Sequence, residues 1–272
     1  MSGNRIEARF AELAAAGRKA FVAYLTAGDP DLDTTVELVC GMDRAGVDVV
    51  ELGFPYSDPM ADGPAIQAAG ERARAAGATL AGILDAVRRI RERSAVPLLA
   101  FTYLGPVMAY GVERFAHDAA AAGLDGVLPL DLPYEEGAEL RAALARQGLV
   151  GVCLVAPNTA AQRRARLARL SRGFLYYVCR YGVTGERAEL PADLGEQVAS
   201  LKQQAGGLPV CIGFGISSPE QAAAAARCGD GAVVGSHLVR LIERETGSPE
   251  LVATVCRRAG ELADAVHGVA AG

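Results

Sequence analysis

Two carboxylates, Glu51 and Asp62, stand eleven positions apart in the stretch ELGFPYSDPMADGP at residues 51–64. The apolar run VDVV from Val47 ends in Glu51, and the loop beyond it holds Gly53, Pro55, Asp58, Pro59, Gly63 and Pro64 besides Asp62. A short hydrophobic run bounded by turn residues reads as a buried strand. A carboxylate at the C-terminal tip of such a strand has no packing reason to be there, because burying an unpaired charge costs several kcal/mol in apolar surroundings. At the mouth of a sheet or barrel it is a candidate acid or base. Proline and glycine around it fix a backbone that has no core beneath it. The competing reading is a structural Glu satisfied by a helix N-terminus or an arginine. Strand-tip carboxylates are also where perturbed proton affinities gather, which favours chemistry.

A second constellation lies towards the C-terminus. CIGFGISSPEQ is an apolar run that enters glycines and then Ser218, Pro219 and Gln221. Ser at N-cap, Pro at N1 and Gln at N3 make a capping box that starts a helix. AVVGSHLVRLIE repeats the pattern with Gly235 and Ser236. Glycine at such junctions lets backbone N–H groups approach an oxygen anion, and a helix N-terminus adds about half a unit of positive charge. One such junction is an ordinary turn; two in succession favour a phosphate site. Between the constellations, YGVTGERAEL carries Thr184 between Gly182 and Gly185, a composition suited to a lid that excludes water.

The elements that must position these residues recur with a regular beat. Apolar runs begin at Phe21, Val47, Val96, Gly126, Val150, Phe174, Leu208 and Gly231, which makes eight. Ala-rich amphipathic stretches separate them, as at 80–93, 137–147, 160–170, 194–204 and 219–227. Eight strand–helix units predict a single (β/α)8 barrel over residues 1–272, and the charged, amphipathic start MSGNRIEARFAEL predicts an extra N-terminal helix. On that frame the two glycine junctions follow strands seven and eight, where barrels frequently hold phosphate. A doubly wound sheet is the rival architecture. Its support, GFGISS at 213–218, lacks the third glycine of the dinucleotide fingerprint and falls in the seventh unit, not the first.

Composition excludes several classes of function. With 272 residues, 51% hydrophobic, and a formal net charge of -5, the chain can bury a large core and offers no global positive field for nucleic acid or an anionic membrane. No stretch approaches the roughly 20 apolar residues of a membrane span, and no signal core opens the chain. Six cysteines lack CxxC spacing and three histidines lie far apart, so the expectation is a cytoplasmic protein with neither disulfides nor a metal site.

Taken together, these segments resemble the alpha chain of tryptophan synthase. The similarity covers essentially the whole chain: AYLTAGDPDLDTT, ELGFPYSDPMADGPAIQ, DLPYEE, YYVCRYGVTGER, IGFGIS and VVGSHLV occur in family order, and SDPMADGP is highly specific. The resemblance implies a TIM barrel that cleaves indole-3-glycerol phosphate to indole and glyceraldehyde 3-phosphate. It also implies an alpha2-beta2 complex in which a PLP-bearing beta chain receives the indole, with no cofactor in the alpha chain. Carried over residue by residue, Glu51 matches the general acid/base and Asp62 the carboxylate that holds the indole N–H. Gly185, Gly215, Gly235 and Ser236 match phosphate contacts. Tyr24, Leu128, Leu154, Tyr176 and Phe214 match the indole-pocket wall, for which ordinary barrel core is the competing reading, and Thr184 matches the closing lid. Pro55 and Asp58 match the segment that meets the beta chain.

Three positions depart from the family pattern. Gly105 stands where asparagine is usual, with the loss of a hydrogen bond as the expected consequence. Cys179 replaces a common serine, and its thiol is a weaker hydrogen-bond partner. His237 replaces a small residue beside the second glycine junction, as an extra phosphate ligand or as a side chain turned to the exterior. Other readings remain beside the resemblance. A Schiff-base aldolase needs a strand lysine, and Lys19 and Lys202, the only lysines, lie outside the strand runs. A stand-alone indole-releasing lyase and a mainly allosteric barrel subunit are the other two.

Overall fold

Alternate residues of the strand runs fall on opposite sides of one wall, and this single pattern builds the molecule. In the computed structural model, which describes residues 3–133, 136–178 and 190–269, the strands are β1 (Ala20–Thr26), β2 (Val49–Gly53), β3 (Leu98–Thr102), β4 (Gly126–Pro129), β5 (Val150–Gly151), β6 (Cys153–Val155), β7 (Leu175–Val178), β8 (Val210–Gly213) and β9 (Gly231–Val234). All neighbouring pairs are parallel, in the order β5-β4-β3-β2-β1-β9-β8-β7-β6. Val22, Tyr24, Val49, Leu99, Phe101, Leu128, Val150, Val152, Cys211 and Val233 form one buried cluster, the barrel interior. Phe21, Ala23, Val50, Leu52, Leu98, Ala100, Val127, Tyr177 and Ile212 belong to a second, which the surrounding helices cover. Such two-sided burial explains why the strand runs read as continuously apolar.

The helices are α1 (Arg5–Ala15), α2 (Leu32–Arg44), α3 (Pro64–Ala75), α4 (Leu80–Arg91), α5 (Leu104–Tyr110), α6 (Val112–Ala122), α7 (Ala138–Arg146), α8 (Ala161–Leu170), α9 (Leu194–Ala205), α10 (Pro219–Cys228), α11 (Ser236–Glu245) and α12 (Leu251–His267). The extra N-terminal helix is present. Asn4 caps α1 by accepting from the Ile6 N–H, and the same side chain donates to the Asp125 and Gly148 carbonyls. Ile6, Phe10 and Leu13 of α1 join the interior cluster, with the Phe10 and Phe174 ring centroids 5.4 Å apart. α1 therefore plugs the N-terminal end of the barrel and leaves the C-terminal end for chemistry.

The fifth barrel strand differs from the single run expected. It is two pieces: β5 pairs with β4, β6 pairs with β7, and Val152 between them donates to the Val127 carbonyl at 3.0 Å. At the break, the Cys153 N–H donates to the Ser171 hydroxyl at 2.9 Å in place of a strand carbonyl. The two pieces close the sheet into a (β/α)8 barrel.

Candidate active site

Glu51 occupies the third position of β2, in register with Tyr24 on β1 and Leu99 on β3. Alternation with Val49 aims it into the barrel. It is fully buried, and among the described residues neither carboxylate oxygen has a hydrogen-bond partner. Burial alone lifts its pKa to about 8, so the carboxyl holds its proton at neutral pH. The arginine or helix N-terminus that the competing structural reading requires is not among the described residues around it. The side chain is a proton store in an apolar chamber.

The loop after β2 carries the second carboxylate back over the same chamber. Gly63 caps α3 and Pro64 opens it, a position where the missing N–H costs nothing. Gln67, one turn on, donates to the Asp62 carbonyl at 2.8 Å and so pins the loop's end. Tyr103, just past β3, ties the loop from the other side. Its hydroxyl accepts from the Ala61 N–H at 3.0 Å and donates to the Asp62 carboxylate. Burial pushes the Asp62 pKa up to about 6, while the Tyr103 hydrogen bond pulls it back. Between pH 6 and 8 the site thus holds one protonated and one ionised carboxyl, a division of labour that acid/base catalysis needs. Tyr24 feels both carboxylates: burial first, then Asp62, raise its pKa, with Glu51 adding to the rise, so the phenol stays neutral.

The walls follow. Tyr24 meets Phe101 edge to face at 5.2 Å between centroids, and Phe101 lies 6.4 Å from Tyr176. Leu128 is fully buried, Phe214 nearly so, and the half-buried Leu154 stands in register with Tyr176 on the neighbouring strand. Two glycines make room for the tyrosines. A Cβ on Gly53 would collide with the Tyr24 hydroxyl, and one on Gly213 with that of Tyr176. Each ring leans over the glycine of the next strand. Phe101 and Tyr103 escaped the sequence reading, although the aromatic spacing FTY at 101–103 puts both beside the chamber.

The two glycine junctions converge on this end. Gly215 has φ +76, a conformation that favours glycine, and Ser218 caps α10 by accepting from the Gln221 N–H, as the capping box predicted. Gly235 caps α11, with Ser236 at its first position. A Cβ on Gly235 would press to 3.3 Å from the Tyr24 Cβ, so this turn abuts the chamber wall. Thr184, Gly185 and Cys179 lie outside the described residues.

Pro55 is half-buried and Asp58 exposed on the Asp62 loop. Gly105 sits at the start of α5, and the space a side chain would fill there holds the Tyr56 hydroxyl. Tyr56 stacks on Tyr103 at 5.2 Å. An aromatic contact therefore fills the place where the sequence suggested only a lost hydrogen bond. His237 faces neither the chamber nor solvent alone; its Nε2 accepts from Arg258 on α12 at 3.0 Å. Among the described residues no group of His, Cys, Asp and Glu could hold a metal ion.

Comparison with known proteins agrees with this geometry. The family model described as tryptophan synthase alpha chain matches residues 10–267. The tryptophan synthase alpha chain of Geobacter sulfurreducens is 51% identical over 245 residues, 90% of this chain and 92% of that one. That of Pelobacter propionicus is 46% identical over 268 residues, covering 98% and 100%. Among solved structures, a chain of Mycobacterium tuberculosis tryptophan synthase superposes with TM-score 0.88 at 36% identity, covering 98% of this chain and 99% of that one. The alpha chain from Legionella pneumophila gives 0.88 at 34%, covering 97% and 98%. A barrel with two buried carboxylates at its open end, matched over nearly its full length, belongs to the tryptophan synthase alpha chain family.

Proposed function

We propose that Glu51 and Asp62 divide the work of the reaction that defines this family, cleavage of indole-3-glycerol phosphate to indole and glyceraldehyde 3-phosphate. The observation that carries the proposal is the buried Glu51, which has no hydrogen-bond partner among the described residues and keeps its proton at neutral pH. Indole is a poor carbon leaving group until its C3 is protonated. Glu51 supplies that proton, and the ring becomes an indolenine that accepts the electron pair of the breaking C–C bond. The hydroxyl on the adjacent carbon loses its proton as its C–O bond becomes the aldehyde. Glu51, by then a carboxylate, accepts it, directly or through water, so no net proton is consumed. Asp62, ionised near neutrality and steadied by Tyr103, accepts from the indole N–H as positive charge grows there. Each role contributes roughly 10²–10⁴-fold of the rate.

In this reading Tyr24, Leu128, Leu154, Tyr176 and Phe214, with Phe101, enclose the indole. Gly215, Gly235 and Ser236 hold the phosphate, with Gly185 and Thr184 as further candidates from the sequence. The alpha reaction needs no cofactor, and PLP belongs to the beta chain that receives the indole. That beta chain docks over Pro55 and Asp58 in an alpha2-beta2 complex. The five cysteines among the described residues are free thiols, which supports a cytoplasmic setting, and no helix of the described residues is long and apolar enough to cross a membrane.

Glu51→Gln tests the assignment, because it removes proton transfer and nearly preserves shape. Indole release from indole-3-glycerol phosphate, assayed with the beta chain present, is expected to fall at least ~10³-fold while beta-chain binding persists. Indole release at the unsubstituted rate would remove Glu51 from the mechanism.

A further inference from the structure

One guanidinium joins the two glycine turns. Arg258 lies on α12, outside the barrel, and is far from the carboxylates in sequence. Its Nε donates to His237 Nε2 at 3.0 Å, in the first turn of α11 directly after Gly235 and Ser236. Its Nη2 donates to the Ser217 carbonyl at 2.9 Å, two residues after Gly215. Its Nη1 donates to Glu261 Oε2 at 2.7 Å on its own helix, which fixes the plane of the fork. The Ser217 end is itself rigid. The Ser217 N–H donates to Gln221 Oε1 at 2.8 Å, and the Gln221 N–H is held by the Ser218 hydroxyl.

We propose that Arg258 and His237 form a brace that sets the spacing of the Gly215 and Gly235 turns and thereby tunes affinity for the phosphate end of the substrate. The inference deepens the reading of those turns as the phosphate site and rests on it. Neither residue touches phosphate; both are positioning residues. An oxyanion gripped by backbone N–H groups from two separate turns is sensitive to the gap between them, since donors must already stand at hydrogen-bond distance on both sides. Backbone at a turn cannot adjust the gap without breaking its own caps. A guanidinium suits the task because its planar fork serves several acceptors in fixed directions, whereas an ammonium is a point charge. It also gives His237 a use: the ring carries an acceptor across to α12 that a small side chain could not provide.

The test compares two substrates, indole-3-glycerol phosphate and its dephosphorylated counterpart, with the full chain saturated by beta chain. Arg258→Met keeps the stem and removes the fork. It is expected to raise KM for the phosphorylated substrate about tenfold with kcat within about twofold, and to leave kcat/KM for the dephosphorylated one unchanged. His237→Ala removes one strut only and is expected to raise the same KM about threefold; the double variant should be no worse than Arg258→Met, because the two act as one unit. Arg258→Lys should recover only part of the loss. If Arg258→Met fails to fold, His237→Ala still decides, since it sits at a half-buried position. Equal losses on both substrates, or an unchanged KM in the variants, would overturn the brace. An unsubstituted enzyme that does not distinguish the two substrates would overturn the phosphate reading itself, and the brace with it.

Discussion

A carboxyl that is fully buried, with no hydrogen-bond partner among the described residues, leaves a trace in stability. Glu51 titrates near its ordinary 4.5 in the unfolded chain and at about 8 in the folded one. The folded state therefore binds the proton more tightly, and the sign follows. This contribution is complete below pH 4.5 and is lost as pH rises to about 8, because folding then holds a proton that the unfolded chain has released. At 1.36 kcal/mol for each pKa unit the loss is roughly 3 to 5 kcal/mol. Asp62 acts in the same direction but lower, from 3.8 to about 6. Urea unfolding at pH 6 and pH 8.5 separates them: the unsubstituted chain should lose about 2–3 kcal/mol between these values, and Glu51→Gln should lose little. Parallel declines in the two proteins would mean that Glu51 is not the buried proton. The place of this carboxyl, at the tip of a strand and facing the barrel, was legible in the sequence, because a charge at the end of an apolar run has few structural excuses. Its lack of a partner was not, since that depends on every strand around it.

At the scale of elements, the barrel asks its glycines for space more than for flexibility. Gly53 of β2 and Gly105 of α5 both lie where a Cβ would collide with a tyrosine hydroxyl, yet their costs should differ. Tyr24 over Gly53 is nearly fully buried against Phe101, so its ring has nowhere to go. Gly53→Ala should cost about 1–3 kcal/mol and raise KM for indole-3-glycerol phosphate as the ring shifts into the pocket. Tyr56 over Gly105 is half-buried and can swing to water, while alanine favours the helix. Gly105→Ala should therefore fall within about 1 kcal/mol of neutral. Denaturant melts of the two variants check the contrast, and equal costs would refute it. The eight strand runs, the N-terminal helix and the Ser218 cap could all be read from periodicity and turn residues, because they depend on neighbours in sequence. The break in the fifth strand, the Tyr103 tether to Ala61 and the Arg258 fork could not. Each joins groups far apart in sequence, 42 positions for Tyr103 and Ala61 and 41 for Arg258 and Ser217, and only the closed barrel brings them together.

For the whole molecule, the two ends of the barrel are built to opposite purposes. The N-terminal end is sealed by α1, with Arg5 and Arg91 both paired to the buried Asp125. The C-terminal end presents the exposed large hydrophobics of the described chain, Met60 at 80% and Met108 at 58%. Single exposed apolar residues are ordinary, but these two flank the Asp62 loop and the α5 helix that Tyr56 and Tyr103 bind together. On the proposed docking, a beta chain that covers Met60 presses on a loop whose Asp62 lies two residues further on, which would join docking to the position of the carboxylate proposed to hold the indole N–H. That coupling predicts how partner and chemistry separate on mutation. Met60→Asp, which sets a charge on the docking face without touching the chamber, should raise the beta-chain concentration needed for half-maximal acceleration of indole release at least about tenfold. Cleavage by the chain alone should stay within about twofold, because the Tyr103 and Gln67 bonds that hold the loop are untouched. A beta-chain titration followed by indole release reads both quantities at once. An unshifted titration would move the docking face away from Met60, and a collapse of the chain's own activity would mean that the loop needs Met60 for its shape and not for its partner.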